Sequence, residues 1–392
     1  MDIILKREDK GTIEKNLQEI YNKKFNLDEN YARSIFDSIL DEAISLNVSD
    51  IHIEPSKNFL IIRMRIDGNL KEVSRFSMDI YPYLSSLIKL DMSMNITEKR
   101  LPQDGRADFT IKNQSIDIRA SSIPTVYGEK IVLRILNRNS FLKDKSELGF
   151  SNESITKIKN ILHKKSGILL VTGPTGSGKT TTVYSLLNDL KNISKNIMTI
   201  EDPVEYKIDG INQIQVNSKI GLTFDVGLRS ILRQDPDIIM IGEIRDLETA
   251  KIAIRAAITG HLVISTMHTR DSISSISRLI DMNIEPYLIN ASLIGVISQR
   301  LVRKICNYCS GDKNINCKSC NNSKYNGRTA IYEILEISEE IKECIQSKKG
   351  LKQIKDIAIK NNNIITFEDT IKDLIKDNIT TVEECTIINN IW

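Results

Sequence analysis

The chain has 392 residues, of which 41% are hydrophobic and 27% charged, with only 18 Gly and 8 Pro. At roughly 150 residues per domain this length predicts two or three globular domains, and the composition excludes a collagen-like or wholly disordered chain. The 54 basic and 51 acidic residues give a net charge of +3, so no strong overall field draws the chain to nucleic acid or to an anionic membrane. No apolar run approaches the ~20 residues that span a bilayer, and the first residues are charged. We therefore expect a cytoplasmic protein with no transmembrane segment and no signal peptide.

The first part of the chain has the pattern of a small α+β domain. Residues 1–30 carry few apolar positions, and we assign this leader no function. From 31 to 136, short runs alternate apolar and charged residues, as in Ile62 to Ile66, Ile116 to Ser121 and Ile131 to Leu136. A period of two is typical of half-buried strands. The pattern predicts a sheet with one apolar face and one exposed face that carries arginines.

The second part of the chain has the pattern of a parallel α/β domain. Residues 137–150 are rich in Lys, Ser and Asn, which predicts a linker. From 151 to 392, short apolar runs alternate with helical stretches such as Leu247 to Ile258, a pattern typical of a parallel sheet covered on both faces. The apolar runs are Ile168 to Val171, Ile197 to Ile200, Ile238 to Ile241 and Leu262 to Ile264. Helical segments that open at Ser338 and Thr381 are predicted within residues 338–392.

A glycine-rich segment follows the first of these apolar runs and precedes a helical pattern. Its residues are Gly173, Pro174, Thr175, Gly176, Ser177, Gly178, Lys179, Thr180 and Thr181. Strand, glycine-rich turn and helix in this order predict a P-loop, in which backbone amides and the helix N-terminus surround phosphate oxygens. We expect Lys179 to reach the terminal phosphates of ATP and the Thr180 hydroxyl to bind Mg²⁺.

Acidic residues follow two further apolar runs. Ile238 to Ile241 leads to Gly242 and Glu243, and Ile197 to Ile200 leads to Glu201 and Asp202. Ligands bind beyond the carboxyl ends of parallel strands, so we expect these acids beside the P-loop. Glu243 is predicted to hold Mg²⁺ or its water shell, and one of the carboxylates should polarise the attacking water.

Four of the six cysteines form two Cys-x-x-Cys pairs separated by seven residues. These are Cys306 and Cys309, then Cys317 and Cys320. Four thiolates supplied in pairs predict a closed tetrahedral Zn²⁺ site, in a subdomain at 303–325. Redox thiols and unliganded cysteines are the alternatives on spacing alone. The two remaining cysteines, Cys344 and Cys385, lie in helical patterns and are interpreted as core residues.

Longer stretches of the chain resemble the motifs of the secretion ATPase superfamily. Thr199 to Tyr206 is similar to its Asp box, and Arg233 to Asp246 is similar to its Walker B segment. Thr259 to Thr269 is similar to its His box. Four stretches resemble the N-terminal domain of type II secretion and type IV pilus assembly ATPases: Ser49 to Pro55, Arg63 to Gly68, Arg100 to Arg106 and Asp117 to Pro124. The resemblance runs from about 45 to the C-terminus.

The resemblance implies a homohexameric motor with a RecA-like ATPase domain, whose ATP lies between the two domains and whose hydrolysis shifts them. It implies that Glu201 is the general base and that Glu243 is the Walker B acid. It also implies that Arg119 and Arg134 reach the phosphates from the first domain, where a fixed guanidinium could meet the charge of phosphoryl transfer. The resemblance further implies that His261 and His268 are nucleotide-state or interface sensors. Arg229 and Arg233 are weaker candidates for cationic groups that reach the phosphates.

The leading functional hypothesis is a cytoplasmic ATPase, peripheral on the membrane, that works against an inner-membrane platform protein. It would assemble a type IV pilus, a competence pseudopilus or a type II secretion pseudopilus. Assembly ATPases of this family carry a tetracysteine loop that retraction motors generally lack. Because about 30 residues cannot encode the extra N-terminal domain of many relatives, we expect membrane recruitment through the two shared domains only.

Three other functions are weighed against this hypothesis. A pilus retraction motor would share the fold and the ATP site. A nucleic-acid-translocating motor is disfavoured by the net charge of +3, the 5% of aromatic residues and the absence of a Lys/Arg stripe, so we expect no direct nucleic-acid binding. A scaffold that binds nucleotide without turnover is disfavoured by the presence of Lys179, Glu201 and Glu243.

Overall fold

The computed structural model describes residues 29–111, 114–137, 145–312, 315–317, 319–320 and 322–390. The chain divides into two compact units, unit 1 (Met1–Arg138) and unit 2 (Asn139–Trp392). Residues 1–28 of the predicted leader and 138–144 of the predicted linker lie outside the described residues. In the described part of the chain, no helix has both the length and the apolar character that a bilayer span requires.

Unit 1 contains, among its described residues, one six-stranded antiparallel sheet in the order β3-β2-β1-β6-β5-β4. The strands are β1 (Asp50–Pro55), β2 (Phe59–Ile66), β3 (Asn69–Ser77), β4 (Gln103–Ile111), β5 (Gln114–Thr125) and β6 (Gly128–Asn137). The helices are α1 (Glu29–Ser45) and α2 (Tyr81–Asp91), the second preceded by a 3₁₀ turn at Met78–Ile80.

The alternation read from the sequence decides which face of this sheet is buried. Ile51 and Ile53 of β1 are fully buried and belong to one core with α1 and α2, whereas Asp50, His52 and Glu54 point to the other face. Helix α1 contributes apolar side chains at helical spacing to the same core. Each fully buried aliphatic side chain contributes ~1.5–3 kcal/mol, so burial drives this packing. The predicted α+β fold with a charged sheet face is confirmed.

Unit 2 contains an eight-stranded mixed sheet among its described residues, in the order β14-β13-β12-β7-β11-β10-β8-β9. Its strands are β7 (Gly167–Thr172), β8 (Ile197–Glu201), β9 (Asn212–Gln215), β10 (Ile238–Ile241), β11 (Leu262–Met267), β12 (Leu293–Ile305), β13 (Tyr325–Glu336) and β14 (Ile364–Ile365). Its helices are α3 (Asn152–Leu162), α4 (Lys179–Leu190), α5 (Phe224–Ile231), α6 (Leu247–Ile258), α7 (Ser272–Asp281), α8 (Pro286–Ser292), α9 (Glu339–Gln346), α10 (Leu351–Lys360), α11 (Phe367–Lys376) and α12 (Val382–Asn390).

The centre of this sheet is parallel and covered on both faces. β7 pairs in parallel with β11 and β12, and β10 pairs in parallel with β8 and β11. Every residue of β7, β8, β10 and β11 is buried, because α3 and α4 cover one face and α5 to α8 cover the other. The predicted RecA-like α/β fold is confirmed, and the carboxyl ends of these strands meet at one edge, which we call the carboxyl edge.

Candidate functional site

The P-loop lies at the carboxyl edge, between β7 and α4. Gly178 caps the N-terminus of α4 in the left-handed region, with φ +87°. A Cβ atom on Gly178 would come within 2.8 Å of the Gln299 side chain, and one on Gly173 would come within 2.3 Å of the Gln299 carbonyl oxygen. β12, which carries Gln299, lies beside β7. Glycine is therefore required at both positions by close packing as well as by φ.

The loop residues fit a phosphate group. A Cβ on Gly176 would meet nothing within 4 Å, so there is open space beside this residue. Ser177 Oγ is buried without a hydrogen-bond partner among the described residues. Lys179 Nζ donates to the carbonyl oxygens of Gly173 and Pro174, each at 2.9 Å, so its ammonium group lies over the loop. Burial lowers the pKa of Lys179 to about 8, although the nearby Glu243 raises it.

Glu243 lies at the same edge, two residues beyond β10. Its carboxylate pairs with Arg245 at 2.5 Å and lies 3.7 Å from His268 Nε2. Burial lowers the pKa of His268, and the charge of Lys179 adds to this effect, so Lys179, Glu243 and His268 share one electrostatic environment. The structure thus brings together residues that the sequence places about 90 positions apart.

A cavity of about 420 Å³ opens beside Glu243. Asp202, the first residue after β8, is exposed and lines the cavity together with Arg245. Arg229 lies near the end of α5 and pairs with Glu248, another lining residue. Asp202 thus lines the same cavity as Glu243, and Arg229 contacts that cavity through Glu248.

Glu201 is the last residue of β8 and is only 3% exposed. Its Oε1 accepts from Thr199 Oγ1 at 2.6 Å and from Gln213 Nε2 at 3.2 Å, and its Oε2 accepts from the Tyr184 hydroxyl. Burial raises the pKa of Glu201, and these three donors oppose the rise. The carboxylate is thus a buried group at the carboxyl edge that accepts three hydrogen bonds and has a raised pKa, as a general base requires.

Two of the weaker candidates lie elsewhere. His261 precedes β11, and its Nδ1 is 2.8 Å from the Ala256 carbonyl oxygen. Since β11 has six residues at ~3.3 Å each, His261 is about 20 Å from the carboxyl edge. Arg233 is exposed, bonds to Arg229 O and Ser230 Oγ, and precedes the start of β10. The structure does not bring His261 or Arg233 to the P-loop.

Arg119 and Arg134 are direct cross-strand partners in unit 1. The pairing continues on both sides, so five strands carry one charged row on the exposed face. This arginine row consists of Arg65, Asp50, Arg134, Arg119 and Arg106, in that order across β2, β1, β6, β5 and β4. Asp50 pairs with Arg134 at 3.0 Å and with Arg65 at 3.6 Å. Arg106 bonds to Asp117 on β5, with 2.9 Å between Arg106 Nε and Asp117 Oδ1, so carboxylates separate the like charges of this row, which would otherwise destabilise the sheet.

The two Cys-x-x-Cys turns close the long β12–β13 hairpin. All four sulfur atoms are buried and lie within 4.8 Å of one another. The Sγ–Sγ distances are 3.8 Å between Cys306 and Cys317 and 3.7 Å between Cys309 and Cys320. Tetrahedral Zn–S bonds of about 2.3 Å place sulfur atoms about 3.8 Å apart, whereas a disulfide would need about 2.05 Å. The cluster can therefore hold a metal ion, and Cys344 and Cys385 are separate buried residues of helices α9 and α12.

Three residues of these sites were missed from the sequence. A buried tyrosine hydroxyl needs a partner, which is the signal that could have identified Tyr184 in α4. Gln299 is a polar residue in an otherwise apolar strand; its Nε2 donates to Ser177 O at 2.9 Å, and its Oε1 accepts from Thr182 at 2.6 Å. Asp50 gave no local signal, because its role depends on the pairing of β1 with β2 and β6.

Known proteins that are similar to this chain are secretion and pilus ATPases. A profile of the family described as "Type II/IV secretion system protein" matches residues 26–387. The type IV pilus assembly ATPase PilB of Thermus thermophilus is 43% identical over 94% of this chain and 44% of its own length. Type II secretion system protein E of Dickeya dadantii is 43% identical, and type II secretion system ATPase E of Vibrio cholerae is 42% identical, each over 89% of this chain and 74% of its own length. The chain thus spans less than half of the Thermus relative and about three quarters of the other two.

Solved structures with the same fold include the pilus retraction motor PilT with bound ADP. It is 29% identical with a TM-score of 0.64, and the match covers 89% of this chain and 95% of that chain. The Legionella pneumophila ATPase DotB has a TM-score of 0.71 at 23% identity, over 91% of this chain and 96% of that chain, and supports the fold alone. The resemblance to secretion ATPases and the prediction of an ATPase are confirmed at the level of the family.

Proposed function

Because the chain belongs to the Type II/IV secretion system protein family, we propose that it hydrolyses ATP to power assembly of a type IV pilus, a competence pseudopilus or a type II secretion pseudopilus. The observation that supports this most is the convergence of Lys179, Glu201 and Glu243 at the carboxyl edge of the unit 2 sheet. A site built only to bind nucleotide would need the P-loop, but not two carboxylates at the neighbouring strand ends.

The P-loop residues would hold the triphosphate. Backbone N–H groups of the loop and of the N-terminus of α4 would face the phosphate oxygens, and Lys179 places an ammonium group over the loop. Thr180 and Glu243 are the residues that would hold Mg²⁺, which neutralises charge on the phosphates when bound. Arg245 pairs with the Glu243 carboxylate at 2.5 Å and so orients it, while His268 Nε2 lies 3.7 Å away.

Glu201 would act as the general base. Its carboxylate accepts a proton from the attacking water, whose oxygen bonds to the γ-phosphorus while the bond to the bridging oxygen of ADP breaks. A raised pKa makes the carboxylate a stronger base, and its burial excludes competing solvent. We further propose that Arg119 and Arg134 supply positive charge to the triphosphate in the transition state, as the family resemblance implies.

The assembly and its surroundings complete the proposal. The working form is a homohexamer that is cytoplasmic, peripheral on the membrane, and engaged with an inner-membrane platform protein. Zinc in the four-cysteine cluster would be structural, since four sulfur ligands leave no open position for catalysis. The 43% identity to an assembly ATPase and the four-cysteine cluster, which retraction motors of the family generally lack, favour assembly. Deletion of the gene should therefore abolish fibres, whereas loss of a retraction motor would leave excess fibres.

The catalytic part of the proposal is tested by comparing the wild type with Glu201→Gln. The substitution preserves shape but removes the basic carboxylate, so we expect turnover to fall at least ~100-fold. Binding of a fluorescent ATP analogue should change less than about threefold, because Glu201 does not belong to the P-loop. A wild type that binds nucleotide but does not hydrolyse it, or a Glu201→Gln variant with full turnover, would contradict the proposal.

A further inference from the structure

Tyr184 links the phosphate-binding helix to the proposed base. It lies in α4, which begins at Lys179, and its side chain is fully buried. Its hydroxyl donates to Glu201 Oε2 and accepts from the backbone N–H of Glu205, with an N–O distance of 3.3 Å. Its ring stands edge-on to that of Tyr206, with centroids 4.8 Å apart. One hydroxyl therefore joins Glu201 to the helix on one side and to the following loop on the other.

The remaining donors to Glu201 come from the sheet. Thr199 lies on the same strand, and Gln213 lies on the neighbouring strand β9. Gln213 Nε2 also donates to Tyr206 O at 3.1 Å, so the loop and β9 are held together. The donors on β8 and β9 both serve Oε1, whereas Tyr184 donates to Oε2. The direction of the carboxylate thus depends on a contact with α4.

We propose that Tyr184 is the positioning residue for Glu201. The inference rests on the proposed function of Glu201 as base. Tyr184 is five residues after Lys179, a rise of about 7.5 Å along one rigid helix. The helix that presents Lys179 to phosphate therefore also sets the place of the base. A general base must stay within hydrogen-bond reach of the water that it deprotonates, and a displacement of 1 Å can cost about 100-fold in rate.

The pKa of Glu201 gives a second measurable effect of Tyr184, because it depends on the groups that face the carboxylate. They are Tyr184 from α4, Thr199 from β8, Gln213 from β9, and Glu205 and Tyr206 from the loop. Burial and the Glu205 charge raise the pKa of Glu201, and the Tyr184 donor lowers it. Loss of the Tyr184 hydroxyl would raise this pKa further. Because the base must be deprotonated, the acid limb of the pH–kcat profile would then move to higher pH.

The test uses Tyr184→Phe in the full-length chain, with steady-state ATP hydrolysis measured from pH 5 to 9. We expect kcat to fall about ten- to a hundredfold, KM for ATP to stay within about twofold, and the acid limb to move upward. Tyr332→Phe is the matched control. It removes another buried tyrosine hydroxyl of unit 2, which accepts from Ser151 N and Ser154 Oγ, each at 2.9 Å. This control should leave both kcat and the acid limb unchanged.

Thr199→Val is the second variant, in case Tyr184→Phe does not fold. It removes one hydroxyl donor with little change in volume, so it should move the acid limb in the same direction. Folded variants with the wild-type kcat and pH profile would overturn the inference, while Glu201→Gln still abolished turnover and the proposed function stood. If Glu201→Gln retained turnover, both the proposed function and the inference would fall.

Discussion

Glu54 in unit 1 shows how single residues organise the charged sheet face. Its carboxylate lies 2.7 Å from Arg63 and 2.7 Å from Lys130, on the neighbouring strands β2 and β6. Burial alone would raise the pKa of Glu54, but the two cations lower it to about 2. The usual Glu pKa of the unfolded chain is 4.5. The charged form of Glu54 is therefore favoured in the folded state, and the pair of cations stabilises unit 1 wherever Glu54 is ionised.

We predict that Glu54→Gln destabilises unit 1 at pH 7 by ~1 kcal/mol, because it leaves two cations without their anion. A lowered folded pKa gives stabilisation that is present above about pH 4.5 and lost as the pH falls toward 2. The free energies of unfolding of variant and wild type, measured in urea, should therefore become more similar as the pH falls through this range. Glu72→Gln, which removes an exposed partner of Arg75, is the control with little expected effect. A difference that stays constant from pH 7 to pH 3 would contradict this assignment.

At the scale of elements, the described strands and helices follow from burial periods that are visible in the sequence. The predicted runs Ile238–Ile241 and Leu247–Ile258 coincide with β10 and α6, because local periodicity determines which face is buried. The order of the strands was not predictable in this way. Arg119 stands opposite Arg134 only because β5 pairs with β6 in one register, and cross-strand register depends on turns and packing.

A metal ion in the cysteine cluster would stabilise the end of the long β12–β13 hairpin. The described residues between β12 and β13 lie outside the sheet, and the four cysteines form a buried cluster among them. Arg303 near the end of β12 pairs with Glu384 at 2.5 Å and stacks on Tyr325, with its guanidinium carbon 4.3 Å from the ring centroid. These contacts hold the base of the hairpin to α12. Farther along the hairpin, the cysteine cluster would hold the segment together when metal is bound.

We predict one zinc ion per chain by elemental analysis of the purified protein. The Cys317→Ser variant should lose the metal, and the temperature of its first thermal unfolding transition should be lower than that of the wild type. Metal binding contributes to folding only when the ligand set is complete. Cys344→Ser is the matched control, since Cys344 is also buried but lies in α9 outside the cluster. Purified protein without zinc, or zinc retained at one per chain by Cys317→Ser, would exclude the proposed site.

At the scale of the whole molecule, the residues of the proposed function lie in both units. Unit 2 carries the P-loop and the carboxylates, and unit 1 carries the arginine row. The sequence predicted the P-loop because its strand, glycines and helix are contiguous. It could not predict the setting of Glu201, because the donors Tyr184 and Gln213 are brought to it by folding. His261 could have been placed from the sequence, since it precedes a strand whose carboxyl end carries the site.

We propose that arginines of unit 1 contribute charge to ATP hydrolysis, and turnover by the Arg119→Ala/Arg134→Ala double variant measures this most directly. An arginine that meets transition-state charge is worth 10³ or more in kcat, so we expect at least ~100-fold loss with nucleotide binding to the P-loop retained. Arg75→Ala, which removes an arginine of β3 outside the arginine row, should leave turnover unchanged. Wild-type turnover in the double variant would show that Arg119 and Arg134 do not act in hydrolysis.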